Sequence, residues 1–120
     1  MTTSAPALPA LTAATFDEAV ATAEGVLLVD VWAAWCGPCG PMGEAVAAVA
    51  ADHPAVVQAA SIDADAQPDL ARRFDVLSLP TLLVFRHGEL VDRLVGARGR
   101  ARLTEDLAVH LTALGVERPA

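Results

Sequence analysis

Cys36 and Cys39 are the only two cysteines in a chain of 120 residues, and they stand three positions apart in Trp35-Cys36-Gly37-Pro38-Cys39. Two thiols at that spacing can close on each other and reopen, which suits reversible thiol–disulfide chemistry. The same spacing also supplies half of a zinc site. Zinc takes four ligands, and neither a second cysteine pair nor clustered histidines accompany this one, so a metal reading needs a second copy of the chain. Ligand count favours redox chemistry, and no metal is expected.

The pair must be held by its neighbours in sequence. Val26-Leu27-Leu28-Val29-Asp30-Val31-Trp32 reads as a continuous buried strand with one carboxylate inside it. A strand running into a helix that opens on Cys-x-x-Cys is the setting in which the motif reads as redox-active. A carboxylate between Val-Leu-Leu-Val and Val-Trp is seldom left in a core without a role, the alternative being a strand-end group in water. Gly37 permits tight backbone packing. Pro38 can start the helix at little loss, because its missing N–H would have been an orphan in the first turn.

The remaining elements follow from periodicity and punctuation. Residues 1–12 are Pro/Ala/Thr-rich and are expected to be a flexible segment or an edge strand, with Pro9 tolerable only at an edge. Thr15-Phe16-Asp17-Glu18 has capping-box spacing and predicts a helix to about Ala23, ended by Gly25. The helix after the cysteines runs from near Gly37 to about Ala51, with Val46, Val49 and Ala50 on one face. Val56 to Ile62 is a second strand, and Asp65 is the expected N-cap of a helix from Ala66 to Phe74. Thr81–Phe85 and Leu90–Val95 form a hairpin through Arg86-His87-Gly88-Glu89. A last helix carries Leu103, Leu107, Leu111 and Leu114 on one stripe and is capped by Gly115. One domain over 13–116, with 117–120 as a tail, accounts for the length.

Composition narrows the function classes. A net charge of −7, with every cation an arginine, argues against nucleic acid, which needs a basic surface. No apolar run reaches the roughly 20 residues of a membrane-spanning helix. The N-terminus lacks the basic start and apolar core of a signal peptide, so the expectation is a cytoplasmic protein. His53, His87 and His110 are scattered and suggest no Cys–His catalytic arrangement. Asp63, Asp65 and Asp69 lack the glycine and the glutamate of a calcium loop. Arg98, Arg100 and Arg102 read as a small exposed basic cluster.

The chain resembles the thioredoxin family. The likeness is carried by Val29-Asp30-Val31-Trp32-Ala33-x-Trp35-Cys36-Gly37-Pro38-Cys39, Ile62-Asp63-x-Asp65, Leu79-Pro80-Thr81-Leu82, His87-Gly88 and Val95-Gly96-Ala97, over roughly residues 14–115. It implies an α/β fold with a central mixed sheet and helices on both faces. It implies that Cys36 is the nucleophile, Cys39 the resolving thiol, and Asp30 the group handling the proton of Cys39. It further implies a cis peptide before Pro80, and a substrate groove lined by Trp35, Leu79, Pro80, Gly96 and Ala97. No bound cofactor is implied. Electrons would come from NADPH through a thioredoxin reductase-like flavoprotein, the substrates would be proteins with disulfides, and the chain would act as a monomer. A disulfide oxidase or isomerase, or an interaction module with a redox-sensing cysteine pair, stays open as an alternative. The chain also departs from the family. Gly40 stands where a basic residue is common, Pro41 precedes the usual kinking position, held here by Glu44, and Ala59 replaces a frequent lysine.

Overall fold

A strand without an exposed face has to lie inside a sheet, and β1 (Val26–Trp32) is such a strand, buried throughout as far as Val31. In the computed structural model, which describes residues 8–116, its two neighbours are β2 and β3. β2 (Val57–Asp63) runs parallel to it, with Asp30 opposite Ser61 and Trp32 opposite Asp63. β3 (Thr81–Arg86) runs antiparallel, with Asp30 opposite Leu82. β4 (Glu89–Val95) pairs antiparallel with β3, giving a mixed sheet in the order β2-β1-β3-β4. Parallel strands cannot be joined by a tight turn, so β1 reaches β2 through the 14-residue helix α2 (Cys39–Asp52).

Alternation along the strands divides the core into two layers. Val26, Leu28, Leu82 and Val84 pack with Met42, Val46 and Val49 of α2 and with Leu103, Leu107 and Leu111 near the C-terminus. On the opposite face, Leu27, Val29, Val31, Leu83 and Phe85 meet Phe16 and Val20 of α1 (Phe16–Thr22) and Leu70 of α3 (Pro68–Arg73). Phe16, Phe74 and Phe85 meet in tilted and edge-to-face contacts with ring centroids 5.2 to 5.6 Å apart. Each large side chain removed from water here contributes about 1.5–3 kcal/mol. Helices on both faces of a mixed sheet are what the resemblance implied.

Several local expectations are corrected. The capping box at Thr15 does not form: its Oγ1 accepts from the Thr12 N–H at 3.0 Å, serving the preceding turn instead of the helix. Asp65 does not cap α3, which starts at Pro68 after Gln67. Asp63 takes over the local backbone, with Oδ1 accepting from the N–H groups of Asp65 and Ala66. α2 begins at Cys39, two residues later than expected, because Gly37 and Pro38 form a turn. The single C-terminal helix is two, α4 (Arg100–Asp106) and α5 (Ala108–Ala113), meeting at Leu107. That break falls between two side chains anchored elsewhere, Asp106 on Arg98 and His110 on Asp92, and the leucine stripe stays intact across it.

The expected edge strand survives as one bridge. Ala10 pairs with Ser61 beside β2, the Ser61 N–H donates to the Pro9 carbonyl, and Leu11 N–H donates to that of Ser61. Residues 1–7 and 117–120 of the expected termini lie outside the described residues. The His87-Gly88 turn has both residues at positive φ, 53° and 80°, as a two-residue hairpin requires.

Gly25, which sets the entry to β1, admits no side chain. Its φ is +74° and an added Cβ would lie 2.2 Å from the Val56 carbonyl oxygen, which already accepts the Val26 N–H. Gly25→Ala is therefore expected to cost about 2 kcal/mol, a fall in Tm of roughly 8 °C. Gly40→Ala, in open space within a helix, should instead stabilise by about 0.5 kcal/mol. Thermal unfolding of both variants checks the contrast in sign.

Candidate active site

The site forms where β1 ends and α2 begins. Cys36 and Cys39 are joined as a disulfide, with their Cα atoms 5.4 Å apart. The turn between them is closed by backbone bonds: Cys36 N–H donates to Ala33, and Cys39 N–H donates back to Cys36. Pro41 has no N–H to offer the Gly37 carbonyl, which accepts from Gly40 at 3.4 Å. Cys36 thus lies three residues ahead of the first helical residue and faces the helix's positive end. It is 9% exposed and Cys39 2%, and both belong to a small apolar cluster with Ala33, Trp32 and Leu79.

Asp30 belongs by alternation to the face that α2 covers, in line with Val26 and Leu28. It is fully buried, and neither carboxylate oxygen has a hydrogen-bond partner among the described residues. Its flanking residues in the sheet, Ser61 and Leu82, do not help. Leu82 is apolar, and the Ser61 hydroxyl donates to the Pro9 carbonyl. Burial without compensation pushes the carboxyl from 3.8 up to about 7. Ala59, across from Leu28 on the neighbouring strand, contributes no cation to pull it back.

The rim comes from two other loops. The Leu79–Pro80 peptide is cis, Pro80 is buried and Leu79 half-buried. The Pro80 carbonyl accepts from the Gly96 N–H at 2.9 Å, so the segment leaving β4 is tied to the proline loop. Gly96 has φ +97°, and Ala97 beside it is exposed. Trp35 is 71% exposed, yet its indole N–H donates to Asp65 Oδ2 at 2.9 Å. This contact between Asp65 and Trp35 is one that sequence reasoning missed. The parallel register of Trp32 with Asp63 brings the ends of the two strands together and makes this contact available.

Other sequence candidates stay apart from the site. The histidines do not cluster, and among the described residues no group of three or more His, Cys, Asp or Glu could hold a metal ion. Of the expected exposed basic cluster, Arg100 and Arg102 are exposed, whereas Arg98 turns inward, and all three are paired with carboxylates. Arg98 and Arg102 go to Asp106, while Arg100 pairs with Asp52 and holds that carboxyl below its usual range. Among the described residues no helix is long and apolar enough to cross a membrane.

A buried disulfide between a strand end and a helix start, with an uncompensated carboxyl on the adjoining core face, defines a thiol–disulfide exchange centre. Comparison with known proteins agrees. The thioredoxin family model matches residues 7–109. A thioredoxin of Staphylococcus haemolyticus is 40% identical over 105 residues, covering 88% of this chain and 99% of the relative. A thioredoxin of Staphylococcus aureus is similar to the same extent, 40% over 105 residues with 99% of its length covered. The chain belongs to the thioredoxin family and is a thiol–disulfide oxidoreductase working by dithiol–disulfide exchange.

Proposed function

We propose that the chain is a cytoplasmic protein disulfide reductase, a monomeric carrier in electron transport and cell redox homeostasis, that draws electrons from NADPH through a flavoprotein reductase. The observation that carries this reading is the Cys36–Cys39 pair set above a core that buries Asp30. In the reduced protein the Cys36 thiolate attacks one sulfur of a substrate disulfide. A mixed disulfide forms and the other substrate sulfur leaves as a thiolate. Cys39 then gives up its proton and attacks Cys36, releasing the second substrate thiol and restoring the disulfide. Two electrons pass to the substrate, and each released thiolate takes up a proton.

Asp30 accepts the Cys39 proton in this scheme. A carboxyl at about 7 serves that step well, since both its protonation states are populated near neutral pH. Gly37 and Pro38 keep the turn open to an incoming sulfur, and both are exposed. Trp35, Leu79, Pro80, Gly96 and Ala97 form the groove in which a substrate chain lies. The catalytic domain is taken as residues 13–116.

The test is insulin reduction by the full chain, with NADPH and a bacterial thioredoxin reductase in catalytic amount. Many equivalents of NADPH should be consumed per equivalent of protein, in proportion to insulin reduced. Reduction driven by dithiothreitol but not by any NADPH-linked reductase would overturn the recycling partner. Failure of both to reduce insulin would sink the reductase reading itself.

A further inference from the structure

Arg98 is an arginine directed inward within a segment that the groove reading makes part of the substrate surface. Its side chain is only 16% exposed and is satisfied on three sides. Nε donates to Asp106 Oδ2 of α4 at 2.6 Å, while Nη1 donates to the carbonyls of Gly96 at 2.8 Å and Val95 at 3.1 Å. Its own backbone N–H points at Met42 Sδ, 3.4 Å away, and Met42 lies one turn beyond Cys39 in α2. One side chain therefore joins the Val95–Gly96 corner to α4, and its backbone rests on the helix that carries the resolving cysteine.

We propose that Arg98, held by Asp106, is a positioning residue that fixes the Gly96–Ala97 edge of the groove and so sets the preference for protein disulfides over small ones. The inference rests on the groove assignment made above. Its physical basis is the corner itself. Gly96 sits at φ +97°, a conformation with little intrinsic preference in a glycine, and beyond the last β4 pair, Val95 with Thr81, its backbone is tied through the N–H it donates to Pro80. The guanidinium supplies the other restraints. With both carbonyls turned to Arg98, the exposed Ala97 keeps an N–H and a C=O that make no hydrogen bond among the described residues. An extended substrate chain needs such groups held at fixed positions. A small disulfide that meets only the Cys36 sulfur does not.

A planar fork suits this task better than an ammonium, because one group must reach a carboxylate and two carbonyls together. Arg98→Lys should therefore recover only part of what Arg98→Met loses. Asp106→Asn should act in the same direction as Arg98→Met and more weakly, since it leaves the carbonyl contacts available.

The experiment compares the reduced full-length protein and these three variants against insulin and against dithionitrobenzoate, a small aromatic disulfide without a chain to fill the groove. Circular dichroism and thermal unfolding confirm that each variant is folded at the assay temperature. For Arg98→Met the ratio of insulin to dithionitrobenzoate rate constants should fall about tenfold, through a higher KM for insulin with kcat kept. The dithiol reduction potential should not change. A fall in both rates alike, a shift in potential, or an unchanged ratio would each overturn the proposal. If the unmodified protein reduced dithionitrobenzoate but not insulin, the groove and reductase reading would fail instead, and that outcome is read before any variant is compared.

Discussion

Cys39→Ser is expected to accumulate mixed disulfides with protein substrates, whereas Cys36→Ser accumulates almost none and loses exchange activity by about a thousandfold or more. The asymmetry follows from access and charge. Cys36 lies in a turn between the exposed residues Trp35 and Gly37, ahead of the α2 N-terminus, where a negative sulfur is stabilised. Cys39 is the first residue of that helix and is 2% exposed, against 9% for Cys36. Of the two sulfurs, Cys36 is the more exposed and the one that meets a substrate disulfide. The second reaches only its partner. When Cys39 is serine, the mixed disulfide on Cys36 has no internal nucleophile to resolve it and persists. The measurement is non-reducing electrophoresis and mass spectrometry of each variant after incubation with a disulfide-bonded protein. Equal trapping by the two would sink the assignment of roles.

How much of this site could be read in the sequence depended on how local each part is. The strand–turn–helix around the cysteines was legible because its signals are contiguous: an apolar run, two spaced thiols, then helical periodicity. The cis Pro80 and the approach of Gly96 came from the family resemblance, since an X–Pro bond is trans by base rate and periodicity carries no sign of isomer. What stayed hidden was set by strand register. Asp65 reads as a helix cap because an acidic residue before an apolar run usually is one. Only the parallel pairing that places Trp32 beside Asp63 shows that its carboxylate faces the Trp35 indole. Arg98 was misread for a similar reason. Three arginines at alternating positions suggest a solvated cluster, but Asp106, which turns Arg98 inward, is eight residues on and belongs to a helix whose docking no local pattern encodes.

Asp30→Asn is expected to change the pH dependence of stability more than any other substitution considered. The oxidised protein buries this carboxyl with no hydrogen bond to either oxygen among the described residues and raises it from 3.8 to about 7. Its sheet neighbours offer no relief, Leu82 being apolar and the Ser61 hydroxyl turned to the Pro9 carbonyl. A carboxyl whose folded pKa lies above its unfolded value makes ionisation harder in the native state. The resulting penalty is absent below about pH 4, grows as pH rises toward 7, and is complete above it. Between those limits the wild-type protein should lose about 4 kcal/mol of stability that the asparagine variant keeps. Asparagine adds its own offset, a buried amide without partners, but that offset does not vary with pH. Denaturant unfolding of both oxidised proteins at pH 4, 6 and 8 isolates the titrating part as the change in their difference. The variant should gain on the wild type at each step upward, while its exchange rate loses the inflection near neutral pH that proton acceptance from Cys39 imposes. A stability difference that stays constant from pH 4 to 8 would mean that Asp30 is solvated or paired in solution, and the proton-handling role would then lose its physical basis.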